Sequence, residues 1–537
     1  MNSKKNILLT GLLYLWKITL FAQQLNMSSG FYQNQFINQQ INQSTELIHS
    51  GLKPLNKSYL KELNIYDSLF YQPARDKIFT ERGKEKWIYR KLRTEDFIKT
   101  EHNSFSLRVN PLFNFEWQKE INDNPDYFIN TRGIEFKGDI GRSFSFYSSF
   151  YENQASYVDY ITDEINRTLV VPGQGAVKKL ENNRFDFSRA EAYVSFSFKK
   201  YLNLQFGHSK LFIGEGYRSL ILSDNSFCYP FMKISLAFNK FNYVLLWSQY
   251  QSFSGAYYNY HQRKYNALGY LSWSPKSGYE FALVESIIWP GNTPDNASKF
   301  TLNYFNPIIL FRTFQFGLDN EKNILLALNS RIKIYRFAQV FTQFVLDKTD
   351  NENKPQNNYA FQIGIKQFDL FHGKLKNQTF YLHGEFNFIA PYTYTWDNAQ
   401  QSFSHYNQPL AHPAGSGLKE FLGIINYTYK DFSLILRAAY IINSRDTVNS
   451  NFGSDVFKSN SSIPGIVSDI GNQPGQGIKN EIVLLKSELT YLVNSATNFQ
   501  FFVSINIRRM KNQLENENIK YLAFGIRTNL NNYYYDF

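Results

Sequence analysis

From Ser104 onward the chain alternates. In residues 104–118, SFSLRVNPLFNFEWQ, the side chains Phe105, Leu107, Val109, Phe113, Phe115 and Trp117 share one parity, and Ser106, Arg108, Asn110, Asn114, Glu116 and Gln118 share the other. A period of two marks a β-strand with one apolar and one polar face. The pattern returns many times. Ala190, Ala192, Val194, Phe196 and Phe198 oppose Glu191, Ser195 and Ser197, and Ala338, Val340 and Phe344 oppose Gln339 and Gln343. Phe380, Leu382, Phe386 and Phe388 oppose His383, Glu385 and Asn387, while Val503, Ile505 and Ile507 oppose Ser504, Asn506 and Arg508. The first run is about the length of a tilted membrane strand with an overhang, since crossing a bilayer takes about 9–11 residues, and strand-like runs number roughly 18, at the hairpin spacing usual for outer-membrane barrels.

Such strands suit a soluble sandwich with one wet face or a membrane barrel with a wet lumen. The connections separate the two. Residues 139–142, 199–201 and 430–432 leave room only for tight turns. Residues 161–184, 289–299, 347–358, 392–417 and 444–479 are long and mostly polar. Short turns at one end and long loops at the other are the habit of outer-membrane barrels. The last stretch, LAFGIRTNLNNYYYDF, reads as one more alternating strand ending in Phe537, with Tyr533 and Tyr535 on its parity. That ending resembles the signal read by the outer-membrane barrel assembly machinery, and makes this machinery an expected partner.

Ahead of the strands the character differs. Lys4 and Lys5 precede the apolar run 7–21, and Ala22 follows, which reads as a signal peptide over 1–22 and export to the outer membrane of a diderm bacterium. Residues 23–103 are polar. Phe36, Ile37, Ile41, Leu47 and Ile48, then Tyr59, Leu60, Leu63 and Tyr66, recur at near-helical spacing, so this stretch is expected to form short periplasmic or plug helices. The basic stretch 82–93, RGKEKWIYRKLR, is interrupted by Glu85, Trp87, Ile88 and Tyr89 and reads as a solvated connection. The fold class is therefore all-β: a transmembrane antiparallel barrel over 104–537 with a short helical segment before it.

Composition sharpens this reading. The 537 residues are 18% aromatic, with 50 Phe and 38 Tyr, yet mean hydropathy is only −0.40. A polar average rich in aromatics fits a barrel whose strands are apolar at every second position and girdled by rings. The net charge of +12 is dispersed without a basic run, which fits anionic lipid headgroups or acidic polysaccharide better than nucleic acid. The single cysteine, Cys228, excludes an internal disulfide and a cysteine metal cluster.

Candidate chemistry gathers between two strands, in residues 206–235, FGHSKLFIGEGYRSLILSDNSFCYPFMKIS. Gly207, Gly214 and Gly216 break the pattern there, and His208, Lys210, Glu215, Arg218 and Asp224 cluster around them. These groups read as a lumenal network that braces a loop, or as a site for a sugar acid. Arg312 and Arg331 read as lumenal ion-pair partners. Lys419 and Glu420 stand beside His405 and His412 in a shaped loop whose spacing is not that of a zinc site, and no metal or cofactor is expected. Tyr257, Tyr258 and Tyr260, with Tyr392 and Trp396, read as exposed rings that stack on a glycan or anchor at the membrane interface.

Three stretches carry a resemblance: residues 206–235, residues 306–334 (NPIILFRTFQFGLDNEKNILLALNSRIKI) and residues 406–432 (YNQPLAHPAGSGLKEFLGIINYTYKDF). Together, in this order and spacing, they resemble the Wzi-like capsule-assembly outer-membrane proteins and their gliding-motility relatives of the RemB type. The resemblance spans most of the chain past Ser104. It implies a non-enzymatic barrel with helices at its periplasmic mouth, in contact with outer-membrane lipid, that holds surface polysaccharide or serves gliding. Many weak loop contacts with an extended glycan would add through effective concentration. A porin with the lumenal charges as its filter is the alternative. A barrel lipase using Ser219 or Ser223 with His208 is a further one, though no GxSxG elbow occurs.

Overall fold

The computed structural model describes residues 26, 31–56, 87–102, 104–121, 126–141, 143–198, 201–253, 261–291, 302–311, 313, 323–348, 357–375, 377–396, 399–446, 450–459, 471–528 and 532–537. Eighteen long antiparallel strands close into one barrel. In chain order they are β1 (Phe105–Glu120), β2 (Asp126–Ile140), β3 (Phe144–Ser156), β4 (Arg184–Phe198), β5 (Leu202–Ser209) and β6 (Tyr229–Phe238). Then come β7 (Phe241–Phe253), β8 (His261–Trp273), β9 (Tyr279–Pro290), β10 (Asn323–Tyr335), β11 (Ala338–Lys348) and β12 (Asn357–Gln367). The last six are β13 (Gln378–Ile389), β14 (Leu418–Tyr429), β15 (Phe432–Arg445), β16 (Ile478–Asn494), β17 (Phe499–Lys511) and β18 (Asn516–Arg527). Each strand pairs with its sequence neighbours, and β18 closes the ring on β1 from Tyr521↔Glu120 to Arg527↔Asn114. All backbone groups of such a ring are satisfied within the sheet, which is the condition for a sheet in lipid. Among the described residues no helix is long and apolar enough to cross a membrane; the crossing elements are the strands.

The alternation settles which way each side chain points. On β5, Phe206 is 65% exposed on the outer wall while Gln205 beside it is buried on the inner one. On β17, Val503 and Ile505 are exposed and Ser504 and Arg508 are buried. Turns are short at one mouth, where Asn239, Lys430 and Asn498 take left-handed backbone, a conformation asparagine tolerates well. Long loops crowd the other mouth.

Three sequence expectations are corrected. The barrel wall begins at Ile98, ahead of Ser104: residues 98–102 pair with the lower half of β1, from Ile98↔Val109 to His102↔Phe105, on the edge whose upper half β18 occupies. The final strand ends at Arg527. Thr528 still donates its N–H to Phe113 at 2.9 Å, but residues 532–537 turn into the lumen, so Phe537 does not close a strand. The Phe537 carbonyl accepts from Arg508 Nε at 3.3 Å, and its ring stands edge-on to Tyr160. The reason is chemical: Tyr534 and Asp536 find buried polar partners inside the barrel, which lipid would deny them. Third, the connection between β9 and β10 runs on well past the polar stretch 289–299, and its residues 302–311 lie on the outer wall.

The lumen is filled. Helix α1 (Phe31–Gln43) lies at the short-turn mouth, with Ile37 and Ile41 buried. Its Asn42 donates to the carbonyls of Tyr335 and Arg336 in the β10–β11 turn at 3.0 and 2.9 Å. Of the apolar positions expected on that helix, Leu47 and Ile48 fall beyond its end, and the second expected helix, around Tyr59–Tyr66, lies outside the described residues. Helix α2 (Trp87–Arg93) is short and buries no side chain. From α1 the chain climbs inside the barrel, where Leu52 and Lys53 pair with Ile213 and Phe212. Above them, helix α3 (Asp159–Thr168) packs Ile161 and Ile165 on inward side chains of β2, β4 and β18. One continuous apolar cluster joins inner-wall residues from β6 to β14 with Leu52, Leu211, Ile213, Leu220–Leu222, Phe403, Leu410 and Val456.

Candidate functional site in the lumen and at the long-loop face

The segment between β5 and β6, residues 210–228, folds inward and carries the charged cluster read from the sequence. Two glycines make its path possible. Gly214 has φ +142°, which side chains rarely adopt, and a Cβ on Gly216 would sit 2.7 Å from Glu385 Oε2 and 2.6 Å from the Arg218 carbonyl. With glycine there, the backbone lies directly on Glu385, which accepts from the N–H groups of Tyr217 at 2.8 Å and Arg218 at 3.2 Å.

Two ion clusters hold this segment. In the first, Glu215 accepts from Ser50 Oγ at 2.6 Å and lies 3.5 Å from Lys53, 3.6 Å from Lys366 and 4.0 Å from Arg331. Arg331 also donates to the Ile48 carbonyl at 2.7 Å and lies 3.6 Å from Glu280. Burial would raise the Glu215 carboxyl, but Lys53, Lys366 and Arg331 together outweigh it and hold the group down at about 2. In the second, the buried Arg218 guanidinium donates to Glu420 at 2.9 Å and to Asp536 at 3.1 Å. His412 Nε2 lies 2.8 Å from Glu420, and Asp536 is also 3.3 Å from Arg437 and accepts from Tyr217 at 3.0 Å. Nearby, Asp224 accepts from Tyr534 at 2.7 Å and Asn532 at 3.0 Å. Lys210 donates to the carbonyls of Gly173 and Asp224 at 2.8 and 3.0 Å. Burial first, then the Arg189 cation, lowers the Lys210 ammonium to about 8.

The structure thus brings Lys210, Glu215, Arg218, Asp224, Arg331 and Glu420 into the lumen. It does not bring His208 or Lys419 there. His208 shares the outward parity of Phe206 on β5, with Nδ1 3.1 Å from the Ala190 carbonyl. Lys419 shares the outward parity of Phe421 on β14, its ammonium 5.8 Å from the Phe388 ring. Both were grouped inward by their nearness in sequence to the charged clusters, although each falls on the apolar parity of its strand. Arg312, Tyr257, Tyr258 and Tyr260 lie outside the described residues. Tyr392 and Trp396 are not exposed rings: both are buried in the loop between β13 and β14, and Tyr392 donates to the Asn451 carbonyl at 2.6 Å. At the long-loop face Phe227 and Tyr406 instead present a half-buried ring pair, centroids 4.7 Å apart. Ser219 is buried, its hydroxyl donating to the Ile213 carbonyl, on the opposite side of the wall from His208.

Sequence reasoning missed Lys53, Glu280, Lys366, Glu385, Arg437 and Asp536. Four of them, Glu280, Lys366, Glu385 and Arg437, occupy the inward parity of alternating strands, so each was findable as a charge on a wet face. Lys53 and Asp536 lie outside the strands and carried no such signal.

Chemically the arrangement is a brace. Each of these buried charges has an opposite charge or hydrogen-bond partners within reach, as burial demands, and the chain segments they join run across the barrel interior.

No protein-family model matches the chain, and no curated protein sequence matches it. Among solved structures it is similar to Wzi of Escherichia coli, an outer-membrane protein involved in group 1 capsule assembly and described as a carbohydrate-binding β-barrel: TM-score 0.55, 13% identity, covering 95% of this chain and 100% of that one. At this identity the likeness is one of fold. OccAB2 of Acinetobacter baumannii (TM-score 0.44, 9% identity, 80% and 99% covered) and OprD of Pseudomonas aeruginosa (0.41, 11%, 78% and 94%) are more distant, too distant for an argument. The fold is that of outer-membrane barrels.

Proposed function

We propose that this protein is an exported, non-enzymatic outer-membrane barrel that holds or organises polysaccharide at the cell surface, as a capsule-attachment or gliding-motility component. In this reading the short turns and α1 face the periplasm and the long loops face outward. The observation that carries it is the braced lumen. A diffusion channel needs a continuous wet path, whereas here Arg218, Glu420, Asp536, Glu215 and Arg331 are spent on one another and on backbone carbonyls. The fold shared with a carbohydrate-binding barrel supports the same reading. Glycan contact falls to the outward loops: the ring pair Phe227 and Tyr406, and the tyrosine-rich stretch Tyr257, Tyr258 and Tyr260.

Two measurements test this. Purified protein in planar bilayers is expected to give no steady conductance, and a steady open pore would favour a porin. A strain lacking the protein is expected to lose capsule retention or spreading on agar. Unchanged retention and spreading, with no capture of surface polysaccharide by the purified barrel, would sink the proposal.

A further inference from the structure

Residues 302–311 and Thr313, the described residues of the connection between β9 and β10, lie outside the barrel wall, apart from the lumenal brace. On β9 the inward parity is Glu280, Ala282, Val284, Ser286 and Ile288, so Glu285, Ile287 and Trp289 face outward. The same parity on β7, β8 and β10 turns Tyr243, Leu245, Trp247, Tyr265, Ala267, Ile324 and Leu326 to the outer wall. Lipid-facing positions should be exposed, as Leu328, Phe344 and Leu346 are at 54%, 40% and 49%. Yet Leu245, Ala267, Ile287, Trp289 and Ile324 are buried, and Glu285 is fully so. What covers them is residues 302–311 with Thr313. Tyr304 lies flat on Trp289, with ring centroids 3.8 Å apart and planes 2° apart, and Phe305 packs on Trp247 at 5.3 Å.

Described polar atoms of this segment find partners on the wall or within the segment itself. Trp247 Nε1 donates to the Tyr304 carbonyl at 2.9 Å, and the Tyr243 hydroxyl donates to the Pro307 carbonyl. Pro307 has no N–H to satisfy. Asn306 Oδ1 accepts from the Ile308 N–H at 3.0 Å, the Phe311 N–H donates to the Ile308 carbonyl, and Glu285 accepts from the Thr313 N–H at 3.1 Å and from its hydroxyl at 2.5 Å. A loop in water has no need of such provision. In hydrocarbon, irregular backbone is tolerated only where its groups find protein partners. The other side of the segment presents Phe305, Ile308 and Phe311, exposed by 43%, 59% and 41%.

We propose that residues 302–311, with Thr313, form a membrane-embedded strap, clamped to the outer wall by Glu285, whose ridge Phe305–Ile308–Phe311 is covered by the acyl chains of the bilayer. The occupant follows from continuity: the ridge adjoins the lipid-facing wall, level with Leu346, whose cross-strand partner Leu326 pairs in turn with Glu285. The inference is independent of what the long loops bind.

The test places single nitroxide labels in the full chain reconstituted in phosphatidylcholine vesicles, with the buried Cys228 replaced by serine. Labels go at Ile308→Cys, at Leu346→Cys as the lipid reference and at Lys240→Cys in a short turn as the water reference. Relaxation by oxygen and by an aqueous nickel chelate is expected to put the Ile308 label with the Leu346 label. Nickel accessibility like that at position 240 would overturn the embedding. Shielding from both reagents, with spin–spin broadening between molecules, would overturn the occupant in favour of a second copy. Glu285→Leu is expected to release the strap, so that the Ile308 label gains mobility while the barrel keeps its heat-modifiable migration. Should Glu285→Leu fail to fold, Thr313→Val, which removes only the hydroxyl donor, serves instead. Unchanged mobility in the folded variant would overturn the clamp.

Discussion

Arg218 and Asp536 meet across 318 positions of sequence, guanidinium to carboxylate at 3.1 Å, inside a barrel whose wall neither belongs to. Arg218 sits on a loop folded in from the β5–β6 connection, and Asp536 on the segment that turns inward after β18. Each is needed by the other, because an isolated buried charge is far costlier than a paired one. Asp536→Ala would leave Arg218 and Arg437 sharing fewer anions, and removal of one partner from a buried pair typically costs about 3–5 kcal/mol. The expected result is a barrel that still assembles but unfolds at lower urea, by roughly that amount, in vesicle-based titrations. Asp536→Asn, which keeps hydrogen-bond acceptance from Tyr217, should lose less. Equal stability of all three proteins would show that the pair contributes nothing.

Acid should loosen the brace at its other anchor. Glu215 is held at about 2, below the ordinary carboxylate value of 4.5, by Lys53, Lys366 and Arg331 acting against burial. A depressed carboxylate stabilises the fold above its unfolded pKa and loses that contribution as pH falls through the folded one. The stabilisation, on the order of 3 kcal/mol, is therefore complete above about pH 4.5 and fades toward pH 2. Protease protection of residues 48–56, followed from pH 7 to pH 3, should stay constant to about pH 4.5 and then decline. Glu215→Gln should show weakened protection already at pH 7 and no further acid-dependent step from this site.

Gly216 sets how closely the inward loop can lie on β13. A methyl there would come within 2.7 Å of Glu385 and 2.6 Å of the Arg218 carbonyl, whereas at Gly423 on β14 a Cβ meets nothing within 4 Å. Gly216→Ala is expected to push residues 214–218 off Glu385 and to allow intermittent conductance in planar bilayers. Gly423→Ala is the control and should remain closed. Silent recordings from both would mean that the lumen absorbs the shift.

Much of the architecture was legible because a strand in a barrel wall has only two directions to offer a side chain. Phe206 out and Gln205 in, or Ile505 out and Ser504 in, follow from parity and from the cost of placing a polar group in lipid. What lay off the wall was not legible. Asp536 carries no local mark of a partner 318 positions away, and the parity of Tyr533 and Tyr535 imitated a strand that had already ended at Arg527. Glu285 did break its strand's alternation, since it sits on the parity of Phe281 and Leu283. That single outward carboxylate was the one sequence sign that something covers the wall there.

The direction of the wall itself makes the sharpest prediction. Ile505 lies in the middle of β17 (Phe499–Lys511), outward and 45% exposed. If that face meets hydrocarbon, an arginine there must bring its charge into the bilayer core, at about 2–4 kcal/mol near the midplane, falling to roughly 0–1 near an interface. Phe501 faces the same way but stands near the short-turn end of the strand. Ile505→Arg should therefore destabilise the barrel by about 2–4 kcal/mol in vesicle-based unfolding, and Phe501→Arg by markedly less. A solvated outer face would make the two substitutions alike and nearly neutral, and would leave the alternation without its physical cause.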